Sequence, residues 1–468
     1  MTSPTSIQEL QETLKDMAPI HFVGVNGSGM RPLAEFVASL GVPSGFAVSG
    51  SDVETFSGQS SVAFAVEGSP ASFALLDKAK TVVYSSAITK NHPTLIRASH
   101  KNTLHRSELL SLLTRHYQTI AVAGTHGKST TSALITHALK ALGQDPSWII
   151  GAPFANGQLS FGRGESALLV IEADESDGSF LRYFPTVAVL NNIEADHMDF
   201  YLSVGRLEQA FETYIHNVTD QGGIVYWQDS AAVLRSVGSF SGRSCSFGVS
   251  AEARMRVLNV TASGLSTTAD ISFEGRSIAL NLPLPGQHNV LNALAAISAC
   301  YLVGISAEAA ALALGSFPGV TRRLQCYPTQ NHTLVFDDYA HNPGKIRGCL
   351  EGLTAAFPDK TIIAVFQPHR FSRIASLYEE FVGAFRGFRV KVVVVPVYSS
   401  GETFVAGFDV HKIAQDIENR SAVKTFSAPT LKHAAELVKS IMNNADDLVV
   451  TLGAGDVWRV AEDLSRQM

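Results

Sequence analysis

The feature that most constrains this chain is a pattern it repeats three times: a short run rich in Ile and Val, a turn holding glycine or histidine, then helical periodicity. The first unit is IHFVGV (Ile20 to Val25), followed by Asn26-Gly27-Ser28-Gly29 and MRPLAEFVASLG. The second is TIAVA (Thr119 to Ala123), GTHGKST and TSALITHALKALG; the third is TIIAVF (Thr361 to Phe366), QPHRFSR and IASLYEEFVGAF. Such succession of strand, turn and helix builds parallel α/β sheets. Ligands of these sheets sit at the carboxyl ends of strands, so the chemistry is expected in the three turns.

At 468 residues the chain has room for about three domains of roughly 150 residues each. The polar stretch Arg115-His116-Tyr117-Gln118 and the loop GSFPGVTRRLQ read as linkers, which divides the chain into 1–117, 118–321 and 322–468. Between Gly248 and Leu284 the alternating text RVLNVTA, ADISF and RSIALNL predicts antiparallel strands closing the middle domain. A hydrophobic share of 46% excludes disorder, and 36 Lys+Arg against 42 Asp+Glu leave no overall basic field for nucleic acid. Cys245, Cys300, Cys326 and Cys349 are far apart with no CxxC pair, which predicts buried thiols in a reducing compartment. The opening MTSPTSIQELQETLKDM has no apolar core, and no stretch approaches the roughly 18 apolar residues of a membrane span. A soluble, cytoplasmic protein, monomer or homodimer, is the expectation.

Ala121 to Thr130 reads AVAGTHGKST, a buried-type strand running into Gly124-Thr125-His126-Gly127-Lys128-Ser129-Thr130 and a helix. Glycines admit phosphates to backbone N–H groups, Lys128 brings a point charge to the β/γ-phosphates, Ser129 can ligate Mg²⁺, and the helix N-terminus adds its dipole. The strict pattern has glycine where this chain has Val122. ATP is the expected ligand, with hydrolase, kinase, motor and ligase all left open.

The text SALLVIEADESDGSFL is an apolar strand ending in Glu172, Asp174, Glu175 and Asp177, and TVAVL ends in NNIEADHMD with Glu194, Asp196, His197 and Asp199. Carboxylates massed at a strand end repel one another unless cations sit among them, and Mg²⁺ takes such oxygens together with phosphates. Taken singly, each cluster could equally be a solvated acidic turn.

In chain order, GTHGKST, EADESDGSFL, NNIEADHMDFY, GQHNVLNALAAI, GVTRRLQ, DDYAHNP and QPHRFSR resemble the Mur ligases of peptidoglycan synthesis, and from Gly24 to Arg373 the motifs span about four-fifths of the chain. The resemblance implies a three-domain α/β fold: a Rossmann-like UDP-sugar domain, a central P-loop ATPase domain and a C-terminal Rossmann-like domain for the amino acid. It implies that Gly24, Asn26, Gly27, Ser28 and Gly29, with Ser51, Asp52, Ser85 and Ser86, lie on the UDP side. Asn26 and Ser28 depart from the family's GIGGIGM-like loop; a nicotinamide dinucleotide is the competing reading of that turn. Lys128 and Ser129 would serve ATP and one Mg²⁺, and Glu172 and His197 a second Mg²⁺. His288, Asn289 and Asn292 match residues around the adenine, with the two asparagines three apart on one helix face. Arg322 or Arg323 matches an arginine of the nucleotide phosphates, and Asp338 the ribose residue. Tyr339, His341, His369, Arg370 and Arg373 match the amino-acid side, where a pair of arginines can fork onto a carboxylate.

No lysine occurs between Lys140 and Lys345, so the carbamylated lysine of several sister ligases has no candidate here. That pattern resembles the alanine-adding branch, and EADESD rather than EADEYD, together with QPHRFSR, resembles it more than the tripeptide-recycling relative. Against this, His341-Asn342-Pro343 departs from that branch's HHP, and Asn342 cannot titrate, which leaves glycine or serine open beside alanine. The implied reaction is ATP-driven attachment of L-alanine to the lactyl carboxylate of UDP-N-acetylmuramate through an acyl phosphate, with His341 the preferred base and the third domain closing to exclude water. A P-loop ATPase coupled to motion and a non-catalytic nucleotide-binding protein are the rivals from other classes.

Overall fold

The computed structural model describes residues 7–55, 60–330, 332–443 and 446–468. The chain divides into two compact units, one of residues 1–259, 269–281 and 291–317, the other of residues 260–268, 282–290 and 318–468.

The first sheet comprises β1 (Ile20–Val23), β2 (Val48–Asp52), β3 (Ala63–Val66), β4 (Thr81–Tyr84) and β5 (Asn102–His105), parallel throughout in the order β3-β2-β1-β4-β5. β1 is central and buried along its whole length, as its unbroken apolar text requires. Strand order reverses beside it, so the crevice at its carboxyl end receives the turn from Gly24 to Gly29.

The second sheet holds β6 (Gln118–Ala123), β7 (Ser147–Ile149), β8 (Phe161–Gly162), β9 (Leu168–Glu172), β10 (Val187–Leu190), β11 (Gly223–Trp227), β12 (Arg243–Gly248), β13 (Met255–Ser263), β14 (Ser266–Phe273) and β15 (Arg276–Leu282). Their order is β15-β14-β13-β12-β11-β10-β6-β9-β7-β8. β6 therefore lies between β9 and β10, in a register that sets Val122 beside Glu172 and Ala123 beside Leu190. This register delivers the phosphate-type loop and both acidic segments to one sheet edge. The alternating text forms β13, β14 and β15, joined by the two-residue turns Gly264-Leu265 and Glu274-Gly275, a connection open only to antiparallel neighbours.

The third sheet contains β16 (Gln325–Tyr327), β17 (Val335–Asp338), β18 (Thr361–Phe366), β19 (Val390–Val394), β20 (Thr425–Ser427) and β21 (Asp447–Leu452), ordered β16-β17-β21-β18-β19-β20. β16 is an antiparallel edge, and the others run parallel. Leu452 pairs with both Asp338 and Phe366, so DDYAH, QPHRFSR and Gly453 open at the same edge.

Two expectations need correction. The third unit's helix is broken: Phe371–Ser376 and Tyr378–Gly383 are separated by Leu377, whose φ of −127° leaves the helical region. Three of the cysteines are buried, but Cys326 is exposed because it lies on the edge strand β16. No helix among the described residues is long and apolar enough to cross a membrane.

Asn342, the residue that departs from the alanine-adding pattern, caps the helix Pro343–Ala356: its Oδ1 accepts from the Lys345 amide at 2.9 Å, with proline at the first helical position. Asn342→Ala should cost about 1 kcal/mol of local stability. Amide hydrogen exchange in the first turn of that helix checks this, and unchanged protection would refute the cap.

Candidate functional site

Gly124 and Gly127 both have positive φ, 129° and 80°. A Cβ on Gly124 would come within 3.0 Å of the Asn192 backbone, and one on Gly127 would collide with the side chains of Asn292 and Asn191. Glycine is required by both conformation and space. The loop is tied to the segment after β10: the His126 amide donates to Asn192 Oδ1 at 2.7 Å, the Thr125 amide to the Asn192 carbonyl, and the Glu194 amide to Thr125 Oγ1 at 3.0 Å. The His126 ring meets Glu194 at 3.1 Å. Asn191 donates to Thr131 Oγ1 at 2.9 Å, and Thr131 in turn donates to Asn292 Oδ1 at 3.3 Å. Ser129 and Thr130 are buried in the first turn of the helix Lys128–Ala141.

Lys128 Nζ donates to the Gly124 carbonyl at 2.8 Å and to Glu175 Oε2 at 2.7 Å, with Asp174 at 3.9 Å. Burial works against this ammonium, but Glu175, Asp174 and Glu172 outweigh it and hold its pKa above the usual lysine value. Glu175 is 1% exposed, and its other oxygen, Oε1, has no hydrogen-bond partner among the described residues; the His197 ring lies 3.8 Å from it. The acidic text contained Glu175, but nothing in its spacing singled it out from its neighbours as the partner of Lys128. His197 adopts φ 55° at the start of the short helix Met198–Tyr201, a left-handed conformation that costs a non-glycine residue roughly 1–2 kcal/mol. Glu172 accepts from the Gly151 amide, and a Cβ on Gly151 would lie 2.6 Å from its carboxylate. Gly151 is thus a site residue that sequence reading missed.

Among the described residues, no three His, Cys, Asp or Glu side chains are grouped to hold a metal by themselves. Mg²⁺ does not need such a cage, since it keeps waters and phosphate oxygens beside one or two carboxylates. The unpaired Glu175 oxygen in an excess of carboxylate charge suits a cation.

In the first-domain turn, Gly24 and Val25 donate their amides to the Ser51 carbonyl at 2.8 and 3.1 Å, and the Asn26 amide donates to Asp52 Oδ2 at 2.8 Å. The Ser51 hydroxyl is turned inward, to the buried His21 ring at 3.0 Å, while Ser49 engages the other ring nitrogen at 2.9 Å. Gly27 closes the turn onto Gly24, exposed Ser28 follows, and Gly29 precedes the helix Met30–Ser44. The Arg106 guanidinium lies against Gly29 and would have to move for a side chain there. Ser85 accepts the Ile88 amide, while Ser86 donates to Asp177 and meets His105 at 3.1 Å.

At the third sheet's edge, Asp338 accepts the Leu324 and Ala340 amides, each at 2.8 Å, which pins the loop before β16. Arg322 spends its guanidinium within the same unit, on the Gly453 carbonyl at 2.6 Å, Ala454 at 3.1 Å and Asp337 at 3.4 Å. Burial pushes Asp337 up to about 6. Tyr339 lies under both Arg322 and Arg323 and edge-on to His341. His341 Nδ1 is 2.8 Å from the Tyr339 carbonyl, which can only accept, so the ring carries its proton there and presents Nε2 as an acceptor. Arg373 donates to His369 Nδ1 at 3.0 Å. Burial, with Lys345 and Arg373 nearby, takes His341 down to about 2, and burial with Arg373 and Arg370 takes His369 to about 4. Of the adenine-side residues, Asn289 is buried and donates to the Pro285 carbonyl at 2.8 Å, His288 sits beside Gly286 and Gly352, and Asn292 takes the hydrogen bond from Thr131.

Both rings stay neutral in the fold, whereas an unfolded histidine protonates near 6.5. As pH falls below about 6.5 the unfolded chain takes up protons that the folded one refuses, so their contribution, complete above that pH, is lost on acidification. Thermal unfolding at pH 7.5 and 5.5 should therefore show His341→Gln losing less stability on acidification than the parent chain. Parallel losses would contradict the neutral ring.

Three family signatures match the chain: Mur ligase family, catalytic domain, over residues 19–118; Mur ligase middle domain over 122–300; and Mur ligase, glutamate ligase domain over 322–455. The UDP-N-acetylmuramate--L-alanine ligase of Syntrophotalea carbinolica is 34% identical over 458 residues, 95% of this chain and 97% of that protein. The solved UDP-N-acetylmuramate-alanine ligase MurC of Thermotoga maritima matches with a TM-score of 0.77 at 26% identity, covering 96% of this chain and 98% of its own. A murein peptide ligase of Psychrobacter arcticus shares the fold at a TM-score of 0.68 and 22% identity, over 95% of this chain and 97% of its own.

Proposed function

The chain belongs to the Mur ligase family, and on that premise we propose that it is the ATP-dependent ligase joining L-alanine to the lactyl carboxylate of UDP-N-acetylmuramate in peptidoglycan synthesis. The observation that carries this reading is 34% identity over 95% of the chain to a relative of that activity. The recycling alternative has solved neighbours at 22% identity over 95% of the chain and 26% identity over 65% of it.

Residues 1–117 would hold the sugar nucleotide, 118–321 ATP and 322–468 the amino acid. The lactyl carboxylate oxygen attacks the γ-phosphorus, ADP leaves, and an acyl phosphate results. The neutral alanine nitrogen then attacks the acyl carbon, phosphate leaves with the C–O bond electrons, and the proton lost by the nitrogen passes to the departing phosphate. Two anions must meet in the first step, so catalysis is chiefly charge neutralisation and positioning. Lys128, resting on Glu175 and the Gly124 carbonyl, would turn to the β/γ-phosphates. Ser129, Glu172 and His197 would hold Mg²⁺, which supplies positive charge to the triphosphate and the carboxylate. Arg322, which reaches Gly453, Ala454 and Asp337, or its neighbour Arg323 would reach the nucleotide phosphates. Arg370 and Arg373 would clamp the alanine carboxylate. His341 Nε2 would accept a hydrogen bond from the amine; with its pKa at about 2 the ring orients the nucleophile better than it retains a proton.

The test is phosphate release with ATP, Mg²⁺, UDP-N-acetylmuramate and L-alanine, each omitted in turn. Release indifferent to the sugar nucleotide or to alanine would overturn the proposal. Lys128→Ala should lower kcat by on the order of 10²–10³ or more. Arg373→Ala should raise the KM for alanine about 10- to 100-fold, the worth of a charged hydrogen bond, with the KM for ATP little changed.

A further inference from the structure

The turn that carries His369, Arg370 and Arg373 does not hold its own shape. Arg370 has φ 65° and ψ 130°, a region that residues with a Cβ rarely occupy and that persists only where neighbours enforce it. The enforcing neighbour is the segment after β19, which the sequence reading left without a role.

Six contacts join the two. The Tyr398 amide donates to the Pro368 carbonyl and the Arg370 amide to the Tyr398 carbonyl, both at 2.9 Å, so Tyr398 brackets the strained residue. The Tyr398 ring stacks on His369 with 5.7 Å between centroids and 7° between planes. Glu402 accepts from both the amide and the hydroxyl of Ser372, at 3.0 and 2.6 Å, which caps the helix Phe371–Ser376 at its positive end. Phe404 sets its edge against Phe371 at 5.6 Å. Beneath the ring, Gly455 is bare: a Cβ there would lie 2.5 Å from Tyr398 Cγ. Ser400 and Gly401, both with positive φ, turn the segment back so that one short stretch reaches all these points.

We propose that Tyr398 and Glu402 are positioning residues: they set the orientation of His369, Arg370 and Arg373, and through them the enzyme's hold on its amino-acid substrate. This rests on the reading above that those three residues face the amino acid. Tyr398 acts through its backbone and the face of its ring, Glu402 through its carboxylate.

The experiment pairs a readout free of substrate with a kinetic one, on the full-length protein. Amide exchange at Arg370 and Ser372 should be faster in Tyr398→Leu and in Glu402→Ala than in the parent, and Tyr398→Phe should restore the protection. In steady-state kinetics the two disruptive variants should raise the KM for L-alanine by about 10- to 100-fold while the KM values for ATP and UDP-N-acetylmuramate stay within about twofold, with Tyr398→Phe rescuing. Unchanged exchange at Arg370 and Ser372, or a parallel rise in all three KM values, would overturn the inference. Faster exchange in a protein whose parent form does not use alanine would support the positioning role and overturn the substrate reading instead.

Discussion

The contact on which the catalytic arrangement depends is the pairing of Lys128 with Glu175, at 2.7 Å and with the carboxylate 1% exposed. A lysine withdrawn from water loses hydration, and only surrounding carboxylates keep it charged. Three of them do so, and all leave the sheet at the end of β9, next to the loop that follows β6. The arrangement is poised: Lys128 is compensated without a ligand, while one Glu175 oxygen is unpaired. A triphosphate with its cation would satisfy both sides at once, which makes charge exchange, not creation of charge, the event that accompanies binding.

Around this pair the place of the loop is set by strand register. Because β6 is flanked by β9 and β10, the loop Gly124–Gly127 is walled by Asn191, Asn192 and Asn292, and the glycines leave no slack. The first domain solves a similar problem differently. Its turn hangs from the Ser51 carbonyl and the Asp52 carboxylate, and Ser51 is itself steadied from below by neutral, buried His21. In both cases polar groups of the neighbouring strand's end hold the turn by its amides: Ser51 and Asp52 in the first domain, Asn192 in the middle one.

The third domain gathers arginines about two histidines and Tyr339, and burial, with Lys345 and Arg373 nearby, is what keeps the His341 ring neutral. Here Arg370, in a sparsely populated backbone region, is held by its hydrogen bond to Tyr398 in the segment after β19. Such support is expected where a site must be placed accurately on loops at a sheet edge.

Much of this was legible in the residues. Strand, turn and helix periodicity placed the three parallel sheets, because burial on both faces imposes continuous apolar runs, and GTHGKST announced a phosphate loop, because backbone approach demands glycine. What the text could not supply were relations across the sheet. That Glu175 takes the hydrogen bond from Lys128, that Gly151 makes room for Glu172, that Arg322 is spent on the Gly453 and Ala454 carbonyls, and that Tyr398 holds the Arg370 amide all join residues about 20 to more than 130 positions apart. Local chemistry is written in local spacing, since helix and strand periods are properties of the backbone. Which side chain of a cluster finds which partner is decided only when register and burial fix directions in space, and that belongs to the tertiary structure alone.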